Sequence, residues 1–425
     1  MINSNLKDWL AYLEKLHPSS IDMGLERIQQ VAVKLKLTRP APLVITVTGT
    51  NGKGSTCAFI TKLLANQGLK VGLYTSPHLL HYQERIVING QEVTESALCN
   101  AFDIIEKSRG DISLTYFEFG TLATLMLFQQ VNLDAAILEV GLGGRLDAVN
   151  IVDADIAVVT SIGIDHQEWL GNTRDSVAIE KSGIFRQGHP AVCGDNNPPS
   201  ALIGQALQKQ TPLFIRDKDF KFTINNQCWQ WQGHDKQGHL LELKNIPLLS
   251  LPLANAATAL QVYALLGLPW QPCKLINSLQ RATVTGRLEH HTINFKGKKV
   301  HLLLDVGHNP HAANFLAQSL TDHPIKGRRY AVFSLLADKD LNGVITPLLA
   351  VIDNWAVAPL TTPRSNSATT LAGYLLNKQQ QVTTCNSIAT ALTLQAEKAT
   401  ADDEILVFGS FYVVADALLW LKNFD

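Results

Sequence analysis

Continuous apolar strands that alternate with helices constrain the fold more than any other feature of this sequence. The runs "LVITVTG", "DAAILEVG" and "ADIAVVTSIG" are short and apolar, without the alternation of a half-exposed strand. The longer stretches "STCAFITKLLANQG" and "FEFGTLATLMLFQQ" predict helices. Strands that are apolar on both faces and separated by helices are typical of a parallel sheet covered on both sides. The sequence therefore predicts an α/β fold.

The same strand and helix rhythm occurs twice along the chain. It restarts near residue 290 with the strands "VHLLLDVG", "RYAVFSLL", "DNWAVAPL" and "DEILVFGSF". Between the two series, residues 211–245 contain short polar strands and predict an antiparallel excursion at the sheet edge. A chain of 425 residues is too long for one ordinary core. We therefore predict a large N-terminal domain over residues 1–288 with a mostly parallel sheet, and a smaller Rossmann-like α/β domain over 289–425.

Composition excludes several classes of partner. The 36 basic residues nearly cancel the 37 acidic ones, so no nucleic acid and no anionic membrane is expected as a partner. The six cysteines include no C-x-x-C pair, which favours a reducing cytoplasmic location. The N-terminal run "MINSNLKDWLAYLEKLHP" predicts an amphipathic helix rather than a signal peptide. Nothing in the sequence requires a partner chain, and we expect a monomer.

The glycine-rich run "TGTNGKGST", residues 48–56, lies between a predicted strand and a predicted helix. The common phosphate loop has four residues between its first glycine and the Gly-Lys pair, whereas only Thr50 and Asn51 stand there in this chain. Backbone N–H groups freed by the glycines, and the helix N-terminus, attract phosphate. Lys53 can neutralise terminal phosphates, and Ser55 or Thr56 can reach Mg²⁺. A plain turn remains the alternative, but the lysine and hydroxyls favour a P-loop NTPase-like domain.

Two further side chains follow strands that are predicted to share this sheet edge, where ligands of open α/β sheets bind. Glu139 ends "AAILEVG", and it is either a buried acid held by backbone donors or one stabilised by a nearby cation. The glycines that follow it do not match the dinucleotide fingerprint, because Leu146 occupies its third glycine position. His166 follows "VVTSIGID", and its position leaves both a structural role and metal ligation open.

Four other candidates lie farther along the chain. Lys181 follows a predicted N-cap at Thr173, and its spacing alone favours a solvated surface lysine. Asp305 and His308 occupy a strand–helix turn of the second α/β series. Arg287 lies at the predicted domain junction, where an arginine can reach nucleotide phosphates and couple binding to domain closure.

Taken together, these motifs resemble the folylpolyglutamate synthase/dihydrofolate synthase family of the Mur ligase superfamily. The resemblance rests on an ordered series of stretches: "IDMGLERI", "VTGTNGKGST", "YTSPHL", "ERIVING", "TYFEFGTLATLMLF", "EVGLGGRLDAVN", "SIGIDHQEWLG", "IEKSGIF", "NAATAL", "GRLE" and "DVGHNP". The phosphate loop fits any Mur-type ligase, whereas "IDMGLERI" and "YTSPHL" favour the folate branch. One departure is Val306, which replaces a glycine of the family's Asp-Gly-Ala-His-Asn-Pro pattern.

The resemblance implies ATP-dependent addition of L-glutamate to dihydropteroate or to tetrahydrofolates through an acyl phosphate. It implies ATP contacts by Thr50, Asn51, Gly52, Lys53, Gly54, Ser55, Asn255, Arg287 and Asp305. It implies that two Mg²⁺ ions are bound by four residues: Ser76, Glu139, His166 and a carbamylated Lys181. It implies a pterin substrate site at Asp22, Met23, Gly24, Leu25, Thr115, Tyr116, Phe117, Glu118, Leu146, Asp147 and Ala148. Lys53, Lys181 and His308 are the implied catalytic residues, and Phe117 is expected to stack on the pterin ring.

Two alternatives compete with the folate ligase. The first is a Mur-type ligase that acts on another carboxylate, such as a cell-wall precursor. The absence of an obvious N-terminal nucleotide-sugar domain argues against it, because the phosphate loop begins near residue 49. The second is a non-catalytic ATP-binding switch or scaffold, which would need neither the candidate metal ligands nor the junction arginine.

Overall fold

The computed structural model describes residues 5–19, 21–225 and 227–424 of the chain. The chain divides into two compact units, one up to residue 283 and one from residue 284 onward. Each unit has its own α/β sheet, so the predicted α/β class is confirmed.

The first unit is built on an eight-stranded sheet. Its strands are β1 (Leu43–Thr48), β2 (Val71–Tyr74), β3 (Ile86–Ile88), β4 (Gln91–Glu92), β5 (Ala135–Glu139), β6 (Ile156–Val159), β7 (Ala191–Cys193) and β8 (Leu213–Ile215). Their spatial order is β4-β3-β2-β5-β1-β6-β7-β8. Within the described residues, only β3 runs against the other strands of this sheet, since it pairs antiparallel with β2 and with β4; β3 and β4 are joined by a hairpin at Asn89-Gly90. The remaining six strands are parallel to one another.

Three central strands, β5, β1 and β6, bring the candidate residues to one edge. Every residue of β5 and β6 is buried, as the continuous apolar runs predict. The register pairs Val47 with Glu139 and Thr48 with Val159, so the three strands end at nearly the same level. The residues that follow them, the phosphate loop among them, therefore emerge side by side.

In the described part of the first unit, ten α-helices accompany the strands. They are α1 (Leu6–Leu16), α2 (Glu26–Lys34), α3 (Lys53–Ala65), α4 (Glu95–Arg109), α5 (Tyr116–Gln129), α6 (Gln167–Leu170), α7 (Arg174–Lys181), α8 (Ser200–Gln208), α9 (Leu253–Leu265) and α10 (Pro272–Gln280). The predicted amphipathic N-terminal helix is α1, which buries Leu6, Trp9 and Leu13. Its first predicted residues, 1–4, lie outside the described part of the chain.

Residues 211–245 differ from the prediction in one respect. The segment Leu213–Ile215 is β8, a parallel edge strand of the main sheet. The strands that follow, β9 (Lys221–Asn225), β10 (Cys228–His234) and β11 (Leu240–Pro247), form a separate antiparallel sheet. This sheet packs against α9, because Trp229 and Trp231 are both buried and the Trp231 indole N–H donates to the Ala257 carbonyl of α9.

The second unit contains a six-stranded sheet covered by five helices. Its strands are β12 (Glu289–Phe295), β13 (Lys298–Asp305), β14 (Arg329–Phe333), β15 (Asn354–Val357), β16 (Val382–Thr384) and β17 (Glu404–Phe408), in the order β12-β13-β17-β14-β15-β16. Its helices are α11 (Pro310–Asp322), α12 (Leu341–Ile345), α13 (Ala368–Asn377), α14 (Ile388–Lys398) and α15 (Phe411–Leu421). Only β12 is antiparallel, and the four strands predicted from apolar runs are β13, β14, β15 and β17.

We expect Trp9→Ala to destabilise the first unit by about 3–5 kcal/mol, the usual cost of removing a buried aromatic side chain. Trp9 is fully buried and packs against Phe102 and Phe119 with ring centroids 5.7 and 6.3 Å away. Urea unfolding followed by circular dichroism measures the change. The control is Val33→Ala on α2, whose side chain is 77% exposed and whose loss should change stability by less than about 0.5 kcal/mol. Equal stability of the two variants would contradict the packing described.

Candidate active site

The phosphate loop connects β1 to α3 with the geometry of an anion cradle. Gly52 caps α3 in the left-handed region, with φ of +85°. A side chain there would also collide with Asn255, since an added Cβ would lie 2.6 Å from the Asn255 Oδ1 atom. Asn255 of α9 therefore lies directly against the loop, as its implied role in ATP binding requires. The N-terminus of α3 adds its partial positive charge at the same place.

Hydroxyl groups that follow β6 hold the loop in place. Thr160 Oγ1 and Ser161 Oγ both donate to the Asn51 carbonyl, at 2.6 and 3.0 Å. The Thr50 amide donates to the Ser161 carbonyl at 2.9 Å, and the Thr50 hydroxyl donates to the Gly163 carbonyl at 2.9 Å. Sequence reasoning did not select Thr160 or Ser161. Their position at the end of the strand next to β1 is the signal that could have identified them.

Lys53 begins α3 and is turned back over the loop. Its Nζ donates to the Gly49 carbonyl at 3.0 Å. Ser55 and Thr56, on the first turn of α3, are buried beneath the loop. The lysine thus lies at the phosphate cradle, and the nearby Ser55 and Thr56 supply the hydroxyl oxygens that a magnesium ion accepts as ligands.

Glu139 and Ser76 meet beside the loop. Glu139 ends β5, is only 4% exposed, and accepts a hydrogen bond of 3.1 Å from the Ser76 amide. Glu139 is therefore a buried acid, and one of its carboxylate oxygens has the backbone donor that the first interpretation expected. The structure brings together two of the implied magnesium ligands, which follow the neighbouring strands β5 and β2.

His166 caps α6 in a left-handed backbone conformation that few residues other than glycine adopt. Its φ of +50° and ψ of +46° lie in the left-handed region, which costs a side-chain-bearing residue about 1–2 kcal/mol. Such strain is commonly found at functional sites. The His166 side chain is exposed and lines the same cavity as Ser76.

Lys181 is buried, and the surface-lysine interpretation drawn from its spacing is wrong. The predicted N-cap is present, because Thr173 Oγ1 accepts from the Ser176 amide at 3.1 Å. However, α7 ends with Lys181 turned into the protein, 3% exposed. Burial, reinforced by the nearby Lys53 charge, lowers the pKa of Lys181 to about 7, against the opposing effect of Asp165 and Asp147. A large part of Lys181 is therefore a neutral amine near neutral pH.

A cavity of about 330 Å³ adjoins these groups. It is lined by ten of the eleven predicted substrate residues: Asp22, Met23, Gly24, Thr115, Tyr116, Phe117, Glu118, Leu146, Asp147 and Ala148. The exception is Leu25, which precedes α2 and is not part of the lining. Ile21, Ser76, Pro77, Arg85, Gly141, Leu142 and His166 complete the wall. Three distant segments of sequence thus converge on one cavity.

Buried carboxyl groups shape this cavity. Burial raises the pKa of Asp147 to about 6, although the Leu142 and Val149 amides that it accepts from oppose the shift. Glu118 accepts from the Thr115 amide at 2.7 Å and from the Arg27 guanidinium at 3.2 Å. Asp147 therefore holds the loop between Leu142 and Val149 in the cavity wall, whereas Glu118 holds the start of α5.

The Phe117 ring lines the cavity, but another aromatic ring already covers part of it. It stacks on Tyr74 with ring centroids 5.8 Å apart, and an added Cβ on Gly141 would lie 2.7 Å from its Cζ atom. Gly141 therefore permits the close approach that places this ring in the cavity wall.

The remaining predicted residues lie in the second unit. Asp305 ends β13 and accepts from the Gly307 amide at 2.7 Å and the Leu288 amide at 3.1 Å. Burial raises the pKa of Asp305, and the Arg287 charge acts in the opposite direction. The Arg287 guanidinium and the His308 ring both lie against Phe411, with distances to its ring centre of 5.6 and 6.1 Å. Arg287, Asp305 and His308 thus form one group within this unit.

Val306, the departure from the family pattern, is fully buried in the second unit. Its amide donates to the Gly286 carbonyl at 2.9 Å. The larger residue is accommodated within the turn, and Asp305 and His308 keep their places on either side of it.

Comparison with known proteins identifies the chain. Residues 47–216 match the family model of the Mur ligase middle domain, and residues 286–411 match that of the Mur ligase glutamate ligase domain. The dihydrofolate synthase/folylpolyglutamate synthase of Escherichia coli K12 is 44% identical over 98% of this chain and 95% of its own length. The protein of the same name from Haemophilus influenzae is 44% identical over 97% of each chain.

This chain belongs to the dihydrofolate synthase/folylpolyglutamate synthase family. Solved structures of proteins from this family have the same fold as this chain. Escherichia coli FolC in complex with DHPP and ADP has a TM-score of 0.92 and 43% identity, and the match covers 100% of this chain and 99% of that one. The Yersinia pestis bifunctional enzyme complexed with AMPPNP and a Mn ion has a TM-score of 0.91 and 44% identity, with 99% of both chains covered. The predicted family, fold class and ATP-dependent ligase class are confirmed.

We expect Gly52→Ala to weaken ADP binding at least about tenfold. Alanine at this left-handed position costs about 1–2 kcal/mol, and the methyl group also displaces Asn255. A fluorescence titration with a labelled ADP measures the dissociation constant. The control is Gly204→Ala within α8, where an added Cβ meets open space and affinity should not change. Unchanged ADP affinity in the Gly52 variant would show that the loop does not contribute to nucleotide binding.

Proposed function

We propose that this member of the family uses one site to join L-glutamate both to dihydropteroate and to tetrahydrofolates. The observation that carries the proposal is the continuity between the cavity and the phosphate loop. Ser76 lines the cavity and donates its amide to Glu139, which ends the strand next to the loop. A substrate in this cavity can therefore present its carboxylate to a nucleotide at the loop.

The chemistry follows from the properties of a carboxylate. A carboxylate resists attack by an amine, so its oxygen first takes the terminal phosphoryl group of ATP, which releases ADP. The amino group of L-glutamate then attacks the acyl carbon, and inorganic phosphate leaves with the former carboxylate oxygen. Lys53 and the amides of the α3 N-terminus stabilise charge on the phosphoryl group during transfer. The largely apolar cavity excludes water that would hydrolyse the acyl phosphate.

Magnesium fits the groups beside the loop. The buried Glu139 carboxylate, the Ser76 hydroxyl, the Ser55 hydroxyl and the His166 imidazole are donors of the kinds that divalent cations accept. When bound, the ion would neutralise nucleotide phosphate charge and orient the terminal phosphoryl group. We assign these side chains to that role.

The second unit contributes the remaining predicted groups. In our proposal Arg287 and Asp305 bind ATP, and His308 acts beside them. Arg287 and His308 both lie against Phe411, and this proximity supports a shared role at the nucleotide. We assign residues 1–288 to nucleotide and folate binding and residues 289–425 to the C-terminal glutamate ligase domain.

A cytoplasmic monomer is the form that we propose for this protein. The six cysteines, all within the described residues, are free thiols, as expected in a reducing compartment. No helix in the described ranges is both long and apolar enough to cross a bilayer.

Purified protein should release ADP only when ATP, Mg²⁺, L-glutamate and a pterin substrate are all present. A coupled ADP assay with dihydropteroate and, separately, with tetrahydrofolate tests this expectation. Turnover with both substrates supports the bifunctional proposal, and turnover with neither refutes it. Activity with a muramoyl substrate in place of pterins would favour the other Mur-type ligase.

Glu139→Gln should lower turnover by about a hundredfold or more, because a neutral amide replaces the buried carboxylate assigned to the metal. Thermal unfolding should change little, since the amide keeps the volume and an oxygen that accepts from Ser76. The matched control is Glu92→Gln on the exposed edge strand β4, which should leave turnover unchanged. Near-normal activity of the Glu139 variant would count against its assigned role.

We further propose that Lys181 carries a carbamate. Its low pKa provides the neutral amine that must attack carbon dioxide, and the product is an anion that can bind a second magnesium ion. The carbamate would also remove the repulsion between the buried Lys181 charge and the nearby charge of Lys53.

A carbamate on Lys181 should be visible by ¹³C NMR in labelled bicarbonate. Because the amine loses its proton as pH rises through about 7, the signal should grow between pH 6 and 8. It should be absent from Lys181→Met and present in the control Lys209→Met, which removes another partly buried lysine from the same unit. No signal in the wild-type protein at pH 8 would refute the modification.

A further inference from the structure

Arg85 is a buried arginine in the cavity wall to which the sequence reasoning gave no role. It ends the 3₁₀ helix Tyr82–Arg85 and is only 8% exposed. Its carbonyl accepts from the Thr75 amide at 2.9 Å, so its backbone lies beside the residue that precedes Ser76. The arginine therefore belongs to the same part of the wall as a predicted magnesium ligand, near the end where the substrate carboxylate must react.

The groups that contact the Arg85 guanidinium are neutral. Its Nε donates to His78 Nδ1 at 2.8 Å, and its Cζ lies 5.3 and 5.6 Å from the rings of Tyr82 and Tyr116. His78 accepts this hydrogen bond through an unprotonated ring nitrogen, and an imidazole carries no negative charge. Burial raises the pKa of both tyrosines. At neutral pH these side chains therefore orient the guanidinium and do not compensate its charge.

The acids around this part of the cavity are already engaged elsewhere. Glu84 accepts from the amides of Leu79, Leu80 and His81, and Glu118 and Asp22 are paired with Arg27. Asp147 accepts from backbone amides. Within residues 5–19, 21–225 and 227–424, the terminal nitrogens of Arg85 have neither an acidic partner nor a hydrogen-bond acceptor.

A buried cation without a counter-charge is costly, and an anionic group of the ligand removes that cost. A guanidinium binds a carboxylate through two parallel hydrogen bonds, a geometry that lysine cannot offer. The cavity is thus prepared for a carboxylate that stays bound without reacting.

We propose that Arg85 binds the α-carboxylate of the glutamyl residue in folate substrates. This inference rests on the proposed function. Dihydropteroate has one carboxylate, and that carboxylate is phosphorylated. A reduced folate also carries a glutamyl α-carboxylate, which is separated from the reacting γ-carboxylate only by the α-carbon and two methylene groups. Arg85 therefore selects for glutamylated substrates and separates the two activities of the site.

The test compares both substrates in Arg85→Met, which keeps an unbranched side chain but removes the charge. Loss of charge-assisted hydrogen bonds should lower kcat/KM for tetrahydrofolate by about 10- to 100-fold, mainly through KM. The ratio of kcat/KM for tetrahydrofolate to that for dihydropteroate should fall by at least about tenfold. The control is Arg281→Met, an exposed arginine at the end of α10, which should not change this ratio.

A second measurement needs no variant and remains decisive if Arg85→Met does not fold. Wild-type protein is assayed with the α-carboxamide of tetrahydrofolate, which lacks only the proposed anionic contact. A kcat/KM for the carboxamide that is about 10- to 100-fold below that of its parent supports the proposal. Where Arg85→Met folds, combining the substitution with the carboxamide should cause no further loss. Equal use of the carboxamide and its parent overturns it.

An equal loss for both natural substrates in Arg85→Met would also overturn the proposal, because it would place Arg85 on the part that they share or in a structural role. Wild-type protein that is inactive with dihydropteroate and with tetrahydrofolate would instead refute the proposed function.

Discussion

The parallel register of β1, β5 and β6 is the constraint on which the site depends. It pairs Val47 with Glu139 and Thr48 with Val159, so three chain segments leave the sheet at the same level. The segment after β6 can then hold the phosphate loop through Thr160 and Ser161. A shift of one residue in any of these strands would exchange the two buried faces of the strand and separate these partners.

The site concentrates buried charge, and each charge influences the others. Burial and, to a smaller extent, the nearby Lys53 charge lower the pKa of Lys181, whereas burial raises the pKa of Asp147. Arg85 is surrounded by neutral rings instead of acids. Such arrangements cost stability unless ligands compensate them. Phosphates, metal ions and substrate carboxylates are ligands of the required charges, so the electrostatics of the first unit match the ligase chemistry of the family.

Most of the fold could be predicted from the sequence, because buried parallel strands produce continuous apolar runs that are visible without any tertiary information. The N-cap at Thr173 was an equally local signal. The arrangement of residues 211–245 was harder to predict from the sequence. Their polar strands indicated an antiparallel arrangement. Whether these strands extend the main sheet or form a separate sheet depends on where Trp229 and Trp231 are buried, which only tertiary packing decides.

The sequence by itself determined the succession of strands and helices, the phosphate loop and the family, because these depend on hydrophobic period, glycine placement and short ordered motifs. Only the tertiary structure decided that Lys181 is buried, that Thr160 and Ser161 support the loop, and that Arg85 faces the cavity without an acid. The reason is physical. The pKa of a side chain, its burial and its partners are set by atoms from segments that are far apart in the chain, and no local pattern records which segments meet.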